Sequence, residues 1–370
     1  MTLYLSATAF FFLTLQSLYL HSLGTAPFVI LGPFIIFFLA LRLSNSKIDL
    51  NIFNHYTFLF FSIVMLLSYV TFINLILFQQ IKSVFSSAVI LFSIFSFIFL
   101  YHNRLLLLAN TLKLVLVFHL IFFYFQVIYW IYSSHYIDYV SFFPGVESSF
   151  LSIKSISLLG EKIPRFTGLY NEPSAYSVWI FTVLGMYYLI SPRFDLVYLL
   201  SIASLFISQS MYGIILACVL IFVFMISLPA KFKLIPLVFF SIGIIALFSV
   251  IGTRSELGKV GLDGRLDYIN GILQPDVLFG GMFIGDGCQS DVGVNMLTTF
   301  ICTGGVFPIL LLILVLYFAK VFHRFTFSMI VFFVIVSKMK YSYPLFWILL
   351  TFINLVYISK KFHVAPKHDN

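Results

Sequence analysis

The sequence predicts an all-α, polytopic integral membrane protein of about twelve transmembrane helices, with two long loops on one side. Three observations carry this. The chain of 370 residues is 61% hydrophobic and only 9% charged, with a mean hydropathy of +1.08, which is more apolar surface than a soluble core can bury. Apolar stretches of about 17 to 25 residues, enough to cross roughly 30 Å of hydrocarbon as helices, recur from end to end. These runs are continuous and do not alternate as barrel strands do, so helices are the spanning form.

In chain order the spans are predicted at 3–20, 26–41, 56–78, 84–100, 112–132, 174–191, 196–208, 212–229, 234–251, 297–319, 325–337 and 342–359. The first lacks the basic start and small-residue cleavage site of a removable signal peptide and is read as a true helix. Tyr129, Trp130 and Tyr132 at the end of the fifth, and Trp179 in the sixth, suit interfacial anchors. The turn "SQSMYG" at 208–213 joins the seventh and eighth. Neither a repeat nor a low-complexity linker marks off a second domain, so residues 1–370 are read as a single membrane domain.

Orientation follows from the short loops. Arg42, Lys47, Arg104, Arg193, Lys231, Lys233, Lys320, Arg324, Lys360, Lys361 and Lys367 fall on one side, and only Lys82, Lys338 and Lys340 on the other. The positive-inside rule then predicts that both termini are cytoplasmic. The same placement accounts for the net charge of +8 through anionic lipid heads, without a nucleic-acid partner. Cys218, Cys288 and Cys302 are an odd count without metal-ligand spacing, which suggests neither a disulfide framework nor a zinc site.

Two connections are long, 133–173 and 252–296, and both fall on the external side. They hold ten of the thirteen acidic residues: Asp138, Glu147, Glu161, Glu172, Glu256, Asp263, Asp267, Asp276, Asp286 and Asp291. Aromatic and aliphatic residues in "YVSFFPG" and "GILQPDVLFGGMFIGDG" favour order over a solvated linker. The predicted spans contain no acidic residue, and Lys113 and His119 are their only basic or imidazole side chains. A transporter would carry ionisable groups near mid-bilayer, so the chemistry is expected at the external face.

The stretch "RFTGLYNEPSAYSVWIF", residues 165–181, is the densest candidate. Pro173 suits the first position of the sixth helix, with Glu172 or Asn171 as its cap. The amides and positive dipole end of that helix would face outward, an arrangement that binds anions. Arg165 offers a guanidinium able to grip phosphate in bidentate fashion, and Gly168 lets the intervening backbone turn sharply. The second loop adds Arg254 and Arg265 in "TRSELGKVGLDGRLDYINGI", arginines that a diphosphate would explain. For Arg165 the competing reading is a salt bridge to Glu172 or contact with lipid phosphates, and for Glu172 plain capping. Gly285, Gly287, Gly304 and Gly305 read as turns and close packing, since "GDG" is too short for a phosphate loop.

R-x-x-G at Arg165 to Gly168, E-P-S at Glu172 to Ser174, a later external arginine, G-x-G at Gly285 to Gly287 and a glycine pair at the next span together resemble the Wzy-type O-antigen polymerases. That group includes the O-antigen ligases and capsule polymerases. The resemblance implies an inner-membrane glycosyltransferase working at the periplasmic face without nucleotide sugar, cofactor or metal. It would transfer a growing glycan from undecaprenyl diphosphate to the non-reducing end of a lipid-linked repeat unit. A chain-length regulator is the protein partner it implies. The ligase branch carries a histidine in its second long loop, where "GDGCQSDVGVNMLTTF" has Asp291 and none, so polymerase is preferred. A ligase and a flippase or transporter for lipid-linked glycans are the alternatives.

On this reading Arg165 and Arg265, with Arg254, bind the diphosphate and stabilise the charge that develops as the glycosidic bond breaks. A carboxylate takes the proton of the acceptor hydroxyl. Glu172 and Asp291 are the candidates, ahead of Asp263 and Asp267.

Overall fold

The fold is described from a computed structural model. It covers residues 1–15, 26–43, 56–78, 81–142, 155–158, 161–170, 172–192, 195–227, 306–321 and 343–363, with isolated positions at 54, 241, 297, 300, 326 and 330. Helices dominate: α1 Thr2–Thr14, α2 Ala26–Leu43, α3 Thr57–Phe78, α4 Ile81–Tyr101, α5 Leu105–Ser133, α6 Pro173–Ile190, α7 Leu196–Ile207, α8 Met211–Ser227, α9 Phe307–Phe318 and α10 Pro344–His363. Each lies on a predicted span. Of the predicted spans 234–251 and 325–337 only isolated positions are described, and the second long loop, 252–296, lies outside the described residues.

Among the described residues four helical segments are long and apolar enough to cross a membrane: Thr57–Leu75, Ser83–Tyr101, Leu105–Ser133 and Pro173–Ile190. Their large apolar side chains do not all turn inward. Phe58, Phe61 and Phe72 on α3, and Ile121, Phe125 and Ile128 on α5, are exposed, an apolar surface too extensive for water and suited to lipid. The protein is a helical membrane protein.

The chain divides into two compact units, one of residues 1–13, 28–109 and 265–370 and the other of 14–27 and 110–264. In the first, α3 packs on both α4 and α9, and α10 packs on α4. Phe34 and Phe37 of α2 meet Phe92 of α4. Arg104 donates to the carbonyls of Leu100 and Leu43 at 3.1 and 3.2 Å, a cation satisfying the last turns of α4 and α2 where the dipole is negative.

In the second unit α6, α7 and α8 pack against one another. Gly213 permits the closest approach: a Cβ there would stand 2.6 Å from the Leu205 carbonyl, 2.6 Å from Ser177 Oγ and 2.8 Å from Ser208 Oγ. At the far end of α6, Asp195 caps α7 by accepting from the Tyr198 amide at 3.0 Å. The same carboxylate pairs with Lys113 of α5 at 2.7 Å and accepts from the Tyr187 hydroxyl of α6 at 2.8 Å, so one side chain ties three helices.

The first long loop contains strand as well as helix, which the sequence reading did not predict. Following η1, a 3-10 turn at Tyr139–Phe142, strands β1 Ser155–Leu158 and β2 Glu161–Pro164 pair antiparallel, with Ser155 opposite Pro164 and Leu158 opposite Glu161. Four-residue strands are too short to show a period that stands out within a loop.

Candidate functional site

The site is built on the C-terminal half of α5. That helix ends where Ser134 takes φ 55° and its amide donates to the Trp130 carbonyl at 2.8 Å, a left-handed cap filled without glycine. The chain then runs back along the helix it has just left. Gln126 Nε2 donates to the Ile137 carbonyl at 2.6 Å, and the Tyr139 hydroxyl donates to the Phe122 carbonyl at 3.2 Å. Asp138 Oδ1 accepts from the Val140 amide at 3.1 Å and so shapes the following 3-10 turn.

β2 delivers the second pass. Arg165 follows Pro164 and is 7% exposed. Phe166 lies edge-on to Trp130 and Phe123, with ring centres 5.8 and 6.2 Å apart. The amides of Thr167 and Gly168 both donate to Gln126 Oε1 at 3.0 Å. Gly168 has φ +54°, the left-handed region where glycine escapes the steric cost of a Cβ. The Tyr136 and Thr167 hydroxyls are bonded at 2.9 Å, and the Tyr170 amide closes the turn on the Thr167 carbonyl at 3.1 Å. Burial pushes the Tyr136 hydroxyl up to about 12, although the bonds from Thr167 and Gln126 and the charge of Arg165 act the other way. Tyr136 is therefore a neutral phenol at any physiological pH.

The pass continues inward. The Tyr170 ring stacks on His119, with ring centres 5.5 Å apart, and its hydroxyl donates to the Thr14 carbonyl at 3.2 Å. His119 Nε2 is bonded to the Thr14 hydroxyl at 2.8 Å. α6 starts at this depth: Tyr176 stacks on Phe123 with centres 4.6 Å apart and donates to Ser204 Oγ at 2.7 Å. At a rise of 1.5 Å per residue, Phe123 is about 15 Å along α5 from its C-terminal end at Ser133. Arg165 thus lies on a segment that folds back along α5, and α6 starts alongside the inner part of its neighbour. Buried non-helical backbone needs partners for its N–H and C=O groups. Here Gln126 supplies the cover for two amides and a carbonyl.

Arg165 and Gly168 share this one turn. Glu172 occupies the N-cap position with extended backbone, φ −131° and ψ 141°, and Pro173 is the first helical residue as expected. The Glu172 side chain does not cap the helix. Its exposed carboxylate accepts from Ser174 Oγ at 2.9 Å. Arg254, Asp263, Arg265, Asp267, Gly285, Gly287, Asp291, Gly304 and Gly305 lie outside the described residues, as does Asn171. Among the described residues no three His, Cys, Asp or Glu side chains group as metal ligands.

Gln126, Tyr136 and Tyr170 organise the site and were not singled out from the sequence. A signal for Gln126 existed, since it is the only side-chain amide between 112 and 132, and a buried amide in a span demands partners. His119 was singled out as the one imidazole in a span, and its role is packing within the second unit.

Chemically, the arrangement places a buried guanidinium eight residues before a helix N-terminus that begins at Pro173 and receives no cap bond from the Glu172 side chain. Both favour an anion. Comparison with protein-family models, with curated proteins and with solved structures finds no match.

Proposed function

We propose that the protein is a membrane glycosyltransferase that polymerises lipid-linked oligosaccharide repeat units. In this reading it has about twelve spans, lies in a bacterial inner membrane with both termini cytoplasmic, and works at the periplasmic face. The observation that carries the reading is Arg165, 7% exposed just before a turn that Gln126 pins and that leads within eight residues to the start of α6 at Pro173. A buried guanidinium followed by a helix N-terminus suits a diphosphate, and on a membrane protein a lipid carries one to it.

In the proposed reaction the acceptor sugar hydroxyl attacks the anomeric carbon of the donor glycan. A glycosidic C–O bond forms, and the bond between that carbon and the diphosphate oxygen breaks with its electron pair leaving on undecaprenyl diphosphate. Arg165 stabilises the charge that accumulates there, more strongly in a partly desolvated site than in water. The proton of the hydroxyl passes to a carboxylate. Glu172 is exposed at the start of α6, and Asp291 is the second candidate from the sequence. Arg254 and Arg265 are the sequence's candidates for further counter-charge. His119 supports this reading over transport, because the one imidazole in a span is 1% exposed and bonded to Thr14 and so lines no path.

The test is the purified protein with its host's undecaprenyl-diphosphate repeat unit, with metal chelated and products resolved on a gel. A ladder that disappears in Arg165→Ala and Arg265→Ala is the expected result. Transfer of a single block onto lipid A core would make the protein a ligase, and no reaction with either acceptor would overturn the glycosyltransferase reading.

A further inference from the structure

We infer that Gln126 is the positioning residue of the anion site: it fixes the turn that aims Arg165, and the ligand affinity of Arg165 depends on it. The inference rests on the diphosphate reading above. Gln126 is fully buried in α5. Its Oε1 accepts from two consecutive amides, Thr167 and Gly168, both at 3.0 Å, and its Nε2 donates to the Ile137 carbonyl at 2.6 Å. These bonds hold both passes of the segment that runs along α5, the outgoing one at Ile137 and the returning one at Thr167.

The chemistry explains why an amide stands here. Two adjacent N–H groups and one carbonyl need one acceptor with two lone pairs and one donor on the same side chain. A carboxylate would satisfy the amides but repel the carbonyl, and it would place a negative charge two residues from Arg165, competing with an anionic ligand. An apolar side chain would leave all three backbone groups without these bonds in a place where Gln126 and Thr167 are buried from water. Tyr136 acts as a second clasp on the same turn through its 2.9 Å bond to Thr167. Arg165 lies two residues before the first pinned amide, so releasing the clasp displaces the guanidinium directly.

The experiment is a double-mutant cycle on the full-length protein in nanodiscs, with undecaprenyl diphosphate as the probe and Kd as the readout. Gln126→Leu is expected to weaken binding about tenfold in the wild-type background and to have almost no effect in an Arg165→Ala background, the coupling expected of residues acting as one unit. In the ladder assay a shift of about 1 Å in the guanidinium is expected to cost about 100-fold in kcat/KM. Tyr136→Phe keeps the ring and removes the hydroxyl that bonds Thr167, a milder change that folds if Gln126→Leu does not, and about a twofold to tenfold loss is expected. A purely structural Gln126 would lower Tm while leaving the Kd of folded protein unchanged. That result, or equal Kd losses in both backgrounds, would overturn the positioning role. If wild-type protein does not bind undecaprenyl diphosphate, the diphosphate reading falls and the role of Gln126 falls with it. If wild type binds and the Gln126 and Tyr136 variants bind equally well, only the positioning role falls.

Discussion

Replacing Gly168 with alanine tests the turn that carries Arg165 with a single methyl group. Two costs follow from the structure. The backbone at φ +54° charges a Cβ about 1–2 kcal/mol. The new methyl would also stand 3.3 Å from Tyr176 Cε2 and 3.4 Å from Cδ2. That ring cannot easily move aside, because it stacks on Phe123 with centres 4.6 Å apart and its hydroxyl is bonded to Ser204 at 2.7 Å. Together the two terms amount to about 1–3 kcal/mol, within the range measured for overpacked cores. For a unit of this size that lowers Tm by roughly 3 to 10 °C. Thermal unfolding in nanodiscs followed by tryptophan fluorescence is the assay. Trp130 is a local reporter, since its ring centre is 5.8 Å from that of Phe166 in the same segment. A variant that melts within one degree of wild type, with unchanged tryptophan emission, would refute the left-handed turn against Tyr176.

Two further outcomes are expected. Gly213→Ala should lower Tm by several degrees, because its methyl would meet the Leu205 carbonyl and Ser177 Oγ at 2.6 Å, and separating α6, α7 and α8 to admit it costs about 1–3 kcal/mol; an unchanged Tm contradicts that packing. Burial tends to raise the Asp195 carboxyl, but bonds from Lys113, the Tyr198 amide and Tyr187 outweigh it and hold the group below its ordinary 3.8. A depressed carboxylate stabilises the fold above its unfolded value and loses that contribution as pH falls through the folded one. Asp195→Asn, which keeps a capping oxygen, should therefore reduce stability above about pH 4 and flatten its loss below that. A wild-type acid profile in this variant contradicts the ion pair.

The helices were legible because lipid imposes a simple rule, about twenty apolar residues per crossing, and α6 starts within one residue of its expected position because Pro173 marks it. The start of α5 was less legible. The span predicted at 112–132 runs from Leu105, and Lys113 inside it finds its counter-charge in Asp195 at 2.7 Å, a partner 82 positions away that no local pattern announces. Arg165, Gly168 and Pro173 were legible as residues with special backbone or charge. Their burial against α5 was not, because it depends on contacts such as Tyr170 with His119 and Tyr176 with Phe123, each between residues more than fifty positions apart. Gln126 carries no charge to mark it in the sequence, although buried backbone needs such an amide more than it needs a charge.

The central claim is that Arg165 sits in a lipid diphosphate site, and equilibrium binding tests it most directly. The protein in nanodiscs is titrated with undecaprenyl diphosphate and, separately, with undecaprenol. The account predicts that only the diphosphate binds specifically. Arg165→Ala should weaken it about 10- to 100-fold, the range for losing hydrogen bonds to a charged group. Arg165→Lys should not restore affinity, because a point charge lacks the bidentate fork. Equal binding of the two lipids, or diphosphate affinity unchanged in both variants, would contradict it.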